Sequence, residues 1–128
     1  WPYAPRVILK RVVAAAAGQN LVLKVGAEAE YSLLHRNEDG SLRPADERDT
    51  SELPCYDARG LTAVLDHLTT VSRHMDAMGW GNYANDHEDA NGQFEQNFQY
   101  ADALTTADRL IEACNDLEST GKTIFGTV

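Results

Sequence analysis

The sequence has 128 residues, 43% of them hydrophobic, and a formal net charge of −9 at pH 7. This length fits a single domain over residues 1–128, and the hydrophobic content argues against disorder throughout. An acidic chain without a basic block argues against a nucleic-acid partner, and no run approaches the roughly 18 apolar residues of a membrane helix. Cys55 and Cys114 form no spaced framework, so we expect both to be reduced in a cytoplasmic protein, and residues 1–3 do not resemble a secretory signal.

The first half of the chain predicts a helix, a long strand and a turn. Apolar residues recur at helical spacing after Pro5, and Gly18 is a natural end for that helix. Residues 21–34 then alternate between apolar and polar side chains, which predicts a strand with one buried face. Residues 35–54 are polar, and the sequence NEDG at 37–40 predicts a tight reversal.

The second half predicts further helices and strands. In chain order these are a helix capped by Asp57, two strands joined by a short loop, a last helix and the start of another strand: residues 57–78, 80–86, 93–100, 102–119 and 123–128. Together the elements predict an α+β fold, in which helices pack on one face of an antiparallel, curved sheet.

Two glutamates on the long predicted strand are candidates for chemistry. Glu28 and Glu30 are two residues apart, so their side chains lie on the same face of a strand. A pair of this kind on its own is more often a solvated sheet surface than a binding site. Parallel carboxylates are, however, the hard oxygen ligands that Mg²⁺ or Mn²⁺ takes.

A second acidic segment favours a cation site. Glu88 and Glu95 flank an Asn-Gly turn that can fold both side chains toward one point. Four carboxylates on neighbouring strands repel one another unless a cation lies between them, which indicates metal-assisted chemistry on a phosphorylated substrate. The composition around His87 favours a surface histidine over a ligand or a residue that supports a ligand.

These segments resemble a known family. Residues 26–31 read GAEAEY, which is similar to the GxExE-aromatic segment of glutamine synthetases, and residues 87–95 read HEDANGQFE, which resembles that family's HE…GQxE segment. Two further segments, residues 53–57 (LPCYD) and 107–109 (ADR), lie where the family has similar sequence. Residues 83–98 are nearest to a branch that includes γ-glutamylmethylamide synthetase. The similarity extends over most of the chain.

The resemblance implies an activity and a set of ligands. The family's catalytic domain is a curved sheet that lines a funnel-shaped site, in an enzyme that forms a homo-oligomeric ring. ATP phosphorylates the γ-carboxylate of glutamate, and ammonia or a small amine then displaces phosphate from γ-glutamyl phosphate, with two Mg²⁺ or Mn²⁺ ions per site. By position, Glu30, Glu88 and Glu95 resemble the ligands of one ion. Glu28 resembles a ligand of the other, and Tyr100 the aromatic residue near the adenine of ATP.

The chain also departs from the family pattern. The family's downstream asparagine-glycine-histidine segment, its substrate-binding arginines and its amino-terminal domain have no counterpart in these 128 residues. The resemblance therefore assigns no catalytic residue here and implies the first part of a catalytic domain, which we expect to be inactive alone. The alternative is a non-catalytic cation-binding or assembly module derived from the same fold.

Overall fold

A computed structural model describes residues 1–120 and the backbone of residues 124–126. The described helices are α1 (Pro5–Ala17), α2 (Ala58–Ala63), α3 (Leu65–Ala77) and α4 (Ala103–Thr120). The described strands are β1 (Lys24–Val25), β2 (Glu28–Arg36), β3 (Leu42–Pro44), β4 (Asn82–His87), β5 (Gln93–Phe98), β6 (Ala101–Asp102) and β7 (Ile124–Gly126). The architecture is the predicted α+β class, with helices on an antiparallel sheet. None of the helices in these residues is long and apolar enough to cross a membrane.

The main sheet is antiparallel and has β2 and β5 at its centre. Its strands lie in the order β3-β2-β5-β4, and β7 also pairs with β2. The strand predicted at 123–128 is therefore present at residues 124–126, while residues 123, 127 and 128 lie outside the described part. A separate two-stranded ribbon joins β1 to β6, where Lys24 faces Asp102.

The hydrophobic core lies between this sheet and the helices α3 and α4. Strand alternation sends one side of β2 and β5 into the core, as the sequence pattern predicts. The buried apolar side chains of the cluster are Tyr31, Leu33, Leu68, Val71, Met75, Trp80, Phe94, Phe98, Ala113 and Leu117. Because β2 and β5 are fixed by this packing, the opposite face of the same two strands is held in a defined position.

A buried amide on β5 ties the sheet to α3. Gln96 is fully buried; its Oε1 accepts a hydrogen bond from the Tyr31 hydroxyl at 2.9 Å, and its Nε2 donates to the Leu68 carbonyl at 3.1 Å. The same Nε2 donates to Asn85 Oδ1 at 3.0 Å. A buried amide with its oxygen and nitrogen both bonded costs little and fixes the orientation of β5 against the helix.

The predicted strand over 21–34 is wrong in its first part. Residues 21–23 are not in a strand, and the predicted strand is interrupted at Gly26 and Ala27, between β1 and β2. Glycine weakens a strand interior, and here the two segments on either side of it find different partners, β6 and β5. The strand predicted to reach Tyr100 ends at Phe98 for a related reason, since residues 101–102 pair with β1.

The single helix predicted over 57–78 is also wrong, because it divides at Val64. There the backbone takes φ −119° and ψ 20°, outside the helical region, and the Val64 N–H donates to the carbonyls of Leu61 and Thr62. The apolar spacing runs through this residue without interruption, so the periodicity carries no sign of the break. The cap is as predicted: Asp57 accepts a hydrogen bond from the Arg59 N–H at 2.9 Å.

Candidate metal centre

The polar face of β2 and β5 carries a compact group of carboxylates. The antiparallel register places Glu30 directly opposite Glu95. Glu28, two residues before Glu30, stays on the same face because side chains alternate along a strand. One carboxylate oxygen from each of these three glutamates lies within 4.8 Å of one from each of the other two.

The group includes a carboxylate that is withdrawn from water. Glu95 is 8% exposed, whereas Glu28 is exposed and Glu30 is half-buried. Like charges at this separation repel strongly where water is excluded, so the arrangement is costly without a proton or a cation. Hard carboxylate oxygens that converge on one point fit Mg²⁺ or Mn²⁺ by their chemistry.

Two amide side chains of β5 hold two of the carboxylates. Gln93 Nε2 donates to Glu30 Oε2 at 2.8 Å, and Asn97 Nδ2 donates to Glu95 Oε1 at 2.5 Å. Hydrogen bonds of this kind fix the direction of a ligand before a metal arrives. The sequence pattern predicts that Gln93, Glu95 and Asn97 share a face, and they do.

Glu88 lies beside this group without being a member of it. It follows β4, and its carboxyl is hydrogen-bonded to Glu95. The pKa of Glu88 is raised to about 7 by burial first, and further by the hydrogen bond with Glu95 and the charges of Glu95 and Glu30. The metal-free cluster therefore holds a proton near neutral pH, which a cation would displace.

This proton predicts how metal affinity depends on pH. The pKa of Glu88 rises from 4.5 to about 7, so below about pH 7 an incoming cation must displace a proton. We expect Mn²⁺ to bind more tightly as the pH rises from 5.5 to about 7. Above about pH 7 its affinity should depend little on pH. The stability of the metal-free fold changes with pH in the opposite direction to the metal affinity. The raised pKa contributes stability that is complete below about pH 4.5 and is lost as the pH rises through about 7.

The measurement is a Mn²⁺ titration followed by electron paramagnetic resonance (EPR) at several pH values. Glu88→Gln is the control, because an amide carries no proton to displace and its affinity should be nearly independent of pH over the same interval. An equally steep pH dependence in Glu88→Gln would assign the proton to another group and contradict the prediction.

His87 is buried, which contradicts the expectation of a surface histidine. Its side chain has no exposed area, and its Nε2 lies 2.9 Å from Asp49 Oδ2. Its Nδ1 lies 2.9 Å from the Glu88 carbonyl oxygen. Both neighbours offer acceptor oxygens, so the ring donates to at least one of them and is held between the Asp49 carboxylate and the Glu88 carbonyl.

Asp49 is the residue of this region that the sequence does not reveal. Besides His87 it accepts hydrogen bonds from Asn91 Nδ2 at 3.0 Å and from the Gly92 N–H at 2.5 Å. Burial alone would raise the pKa of Asp49, but these donors outweigh it and hold the pKa below its ordinary value. Asp49 thus fastens the turn between Glu88 and Glu95. It lies about 40 residues away in a polar loop, where no local pattern marks its partner.

Tyr100 lies apart from the carboxylates at the edge of a groove. It is 65% exposed and lines a groove of about 480 Å³ together with Lys24, Gly26 and Tyr83. A side chain built at Gly26 would touch the Cβ of Tyr100 at 4.0 Å. Gly26 is two residues before Glu28, so this groove begins next to the strand that carries the carboxylates.

Comparison with known proteins places this geometry in a family. The family model described as "Glutamine synthetase, catalytic domain" matches residues 2–114. The glutamine synthetase of Rhizobium meliloti is 48% identical over 106 residues, covering 83% of this chain and 24% of that protein. The glutamate–methylamine ligase of Methyloversatilis universalis is 42% identical over the same length, with 83% and 24% covered.

A solved structure shares the fold. The structure titled "GmaS/ADP complex-Conformation 1" is 45% identical and superposes with a TM-score of 0.86, covering 98% of this chain and 29% of that one. The chain spans about a quarter of the length of the curated relatives named above. On the family match, the sequence identities and the shared fold, the chain belongs to the glutamine synthetase family and matches its catalytic domain.

Proposed function

We propose that this chain is part of an ATP-dependent ligase that joins ammonia or a small amine to the γ-carboxylate of glutamate. The supporting observation is the convergence of Glu28, Glu30 and Glu95 on one face of the sheet, in a chain whose relatives are named as glutamine synthetase and glutamate–methylamine ligase. In this proposal residues 1–128 are one domain, the first part of a catalytic domain in a longer protein.

Four glutamates would hold the divalent cations of such a ligase. Glu30, Glu88 and Glu95 would bind one Mg²⁺ or Mn²⁺, and Glu28 would contribute to a second. A bound divalent cation neutralises the charge of phosphate groups during phosphoryl transfer from ATP. The amides of Gln93 and Asn97 would keep the carboxylates in place during that step.

The nucleotide would lie in the groove beside Tyr100. That groove is lined by an exposed aromatic ring and by Lys24, and its Gly26 lies two residues before Glu28 in the chain. An aromatic face suits adenine, and a cation suits phosphate. The remaining parts of the proposal follow the family: glutamate and an amine as substrates, a homo-oligomeric ring for the complete protein, and a cytoplasmic location.

The first test is a Mn²⁺ titration of the 128-residue chain by EPR, with circular dichroism to check folding. We expect saturable binding that weakens at least tenfold in the double variant Glu28→Gln/Glu95→Gln, because two charged ligands become neutral. The matched control is Glu112→Gln/Glu118→Gln, which removes the same charge from the exposed side of α4 and should leave binding unchanged. Equal weakening in both pairs would mean that only general negative charge attracts Mn²⁺.

The ligase activity itself needs a longer protein that contains this segment. We expect phosphate release there to depend on ATP, glutamate and an amine, and to be lost with Glu28→Gln/Glu95→Gln. The isolated chain should release no phosphate. An active double variant would refute the catalytic role of these glutamates.

A further inference from the structure

The carboxylate face has a fourth position that is not a carboxylate. The register that places Glu30 opposite Glu95 also places Glu28 opposite Asn97. Side chains opposite one another in an antiparallel pair have Cβ atoms about 5 Å apart. The four residues therefore form a square on one face of β2 and β5, with three carboxylates and one amide.

Asn97 is buried, and only half of its amide is satisfied. The residue is 7% exposed, and its Nδ2 donates to Glu95 Oε1 at 2.5 Å. Its Oδ1 is buried and has no hydrogen-bond partner among the described residues. A buried acceptor without a partner costs about 1–3 kcal/mol, and native proteins seldom leave one without a reason.

The direction of the amide is fixed by Glu95. Turning the amide over would bring Oδ1 against the carboxylate oxygen of Glu95, so that two acceptors would face each other without a proton. With Nδ2 on Glu95, the unpartnered Oδ1 is held on the same face as Glu28 and Glu95. An acceptor in this position is suited to a cation.

We propose that Oδ1 of Asn97 is a neutral ligand of the cation that Glu30, Glu88 and Glu95 would hold, because the Asn97 amide is bonded to Glu95. This inference rests on the cation site of the proposed function and adds a residue to it. Amide carbonyl oxygens are ordinary ligands of hard divalent cations. A neutral oxygen completes the coordination without adding to the repulsion among Glu28, Glu30 and Glu95 in the metal-free protein.

The test counts the water molecules that remain on the bound ion. Mn²⁺ is titrated into the 128-residue chain by EPR, and broadening of the signal in water enriched in oxygen-17 gives the number of bound waters. In Asn97→Ala we expect about tenfold weaker binding and one additional bound water, because solvent takes the place of Oδ1. Asn115→Ala removes an exposed asparagine of α4 and should change neither quantity.

A second variant separates ligation from support of Glu95. Asn97→Asp keeps an oxygen at the site but removes the donor to Glu95. We expect it to bind Mn²⁺ with the wild-type number of waters. If Asn97 acted only by holding Glu95, both variants would bind weakly and neither would gain a water, which would overturn the inference.

The outcomes distinguish this inference from the proposed function. If the wild-type chain binds Mn²⁺ and Asn97→Ala binds it equally with no added water, Asn97 is not a ligand although the cation site stands. If the folded wild-type chain does not bind Mn²⁺, the cation site fails and the inference fails with it. If Asn97→Ala does not fold, Asn97→Asp decides. Wild-type or tighter affinity with the wild-type number of waters supports the inference, whereas weak binding or an extra bound water overturns it.

Discussion

Asp49→Ala is expected to destabilise the fold by about 3–5 kcal/mol, because it leaves several buried hydrogen-bond donors without an acceptor, at about 1–3 kcal/mol each. The side chains of Asp49 and His87 are 5% and 0% exposed, so water cannot replace the lost carboxylate. The substitution also leaves the donors of Asn91 and Gly92 without their acceptor. The measurement is the free energy of unfolding of the variant and of the wild type, from urea unfolding followed by circular dichroism.

Asp46→Ala is the matched control for this experiment. Asp46 lies three residues earlier in the same loop and pairs with Arg48, whose side chain is 83% exposed. Its loss removes a solvent-screened contact, so we expect the midpoint of unfolding to stay close to that of the wild type. If the two variants unfolded at the same urea concentration, the buried pair would contribute no more than a surface pair, contrary to expectation.

Gly60→Ala is expected to lower the free energy of unfolding by about 3 kcal/mol, the upper end of the range for overpacked cores. Gly60 is a buried residue of α2, and a Cβ there would lie 2.3 Å from Cδ2 and 2.8 Å from Nε2 of His87. Alanine would otherwise favour the helix by about 1 kcal/mol. The clash prevails because His87 is held by Asp49 and by the Glu88 carbonyl and cannot move aside.

Gly18→Ala makes the same chemical change where there is room for it. Gly18 follows α1 with φ −61°, and a Cβ there would meet its nearest atom at 3.4 Å. We expect its stability to equal or slightly exceed that of the wild type. Urea unfolding of both glycine variants checks the comparison. Equal stability of Gly60→Ala and the wild type would mean that His87 has another position available.

The sequence predicts the elements whose pattern is local and misses those that depend on distant partners. The ends of α1 and the alternation of β5 follow from Pro5 and from apolar spacing, which are local signals. Strand β3 (Leu42–Pro44) lies in a polar stretch and forms because β2 offers it an edge. The break at Val64 is similar, because the apolar periodicity is the same on both sides of it.

The same distinction applies to the candidate site. Glu28, Glu30 and Glu95 are recognisable from spacing and from the family motifs, because side chains two residues apart on a strand share one face. Asp49 and Gly60 have no such signal, because each acts through His87 from a different part of the chain. The burial of His87 follows from these two contacts and from Phe94, whose ring centroid lies 4.9 Å away.

The pairing of β2 with β5 makes the core and the carboxylate face a single unit. Because side chains alternate, a slip of one residue between these strands would turn Glu30 toward the helices and Tyr31 toward the solvent side. Single-residue insertions or deletions within residues 28–32 would be eliminated as folding defects before any effect on cation binding arose, so length variation in relatives should be confined to the loops.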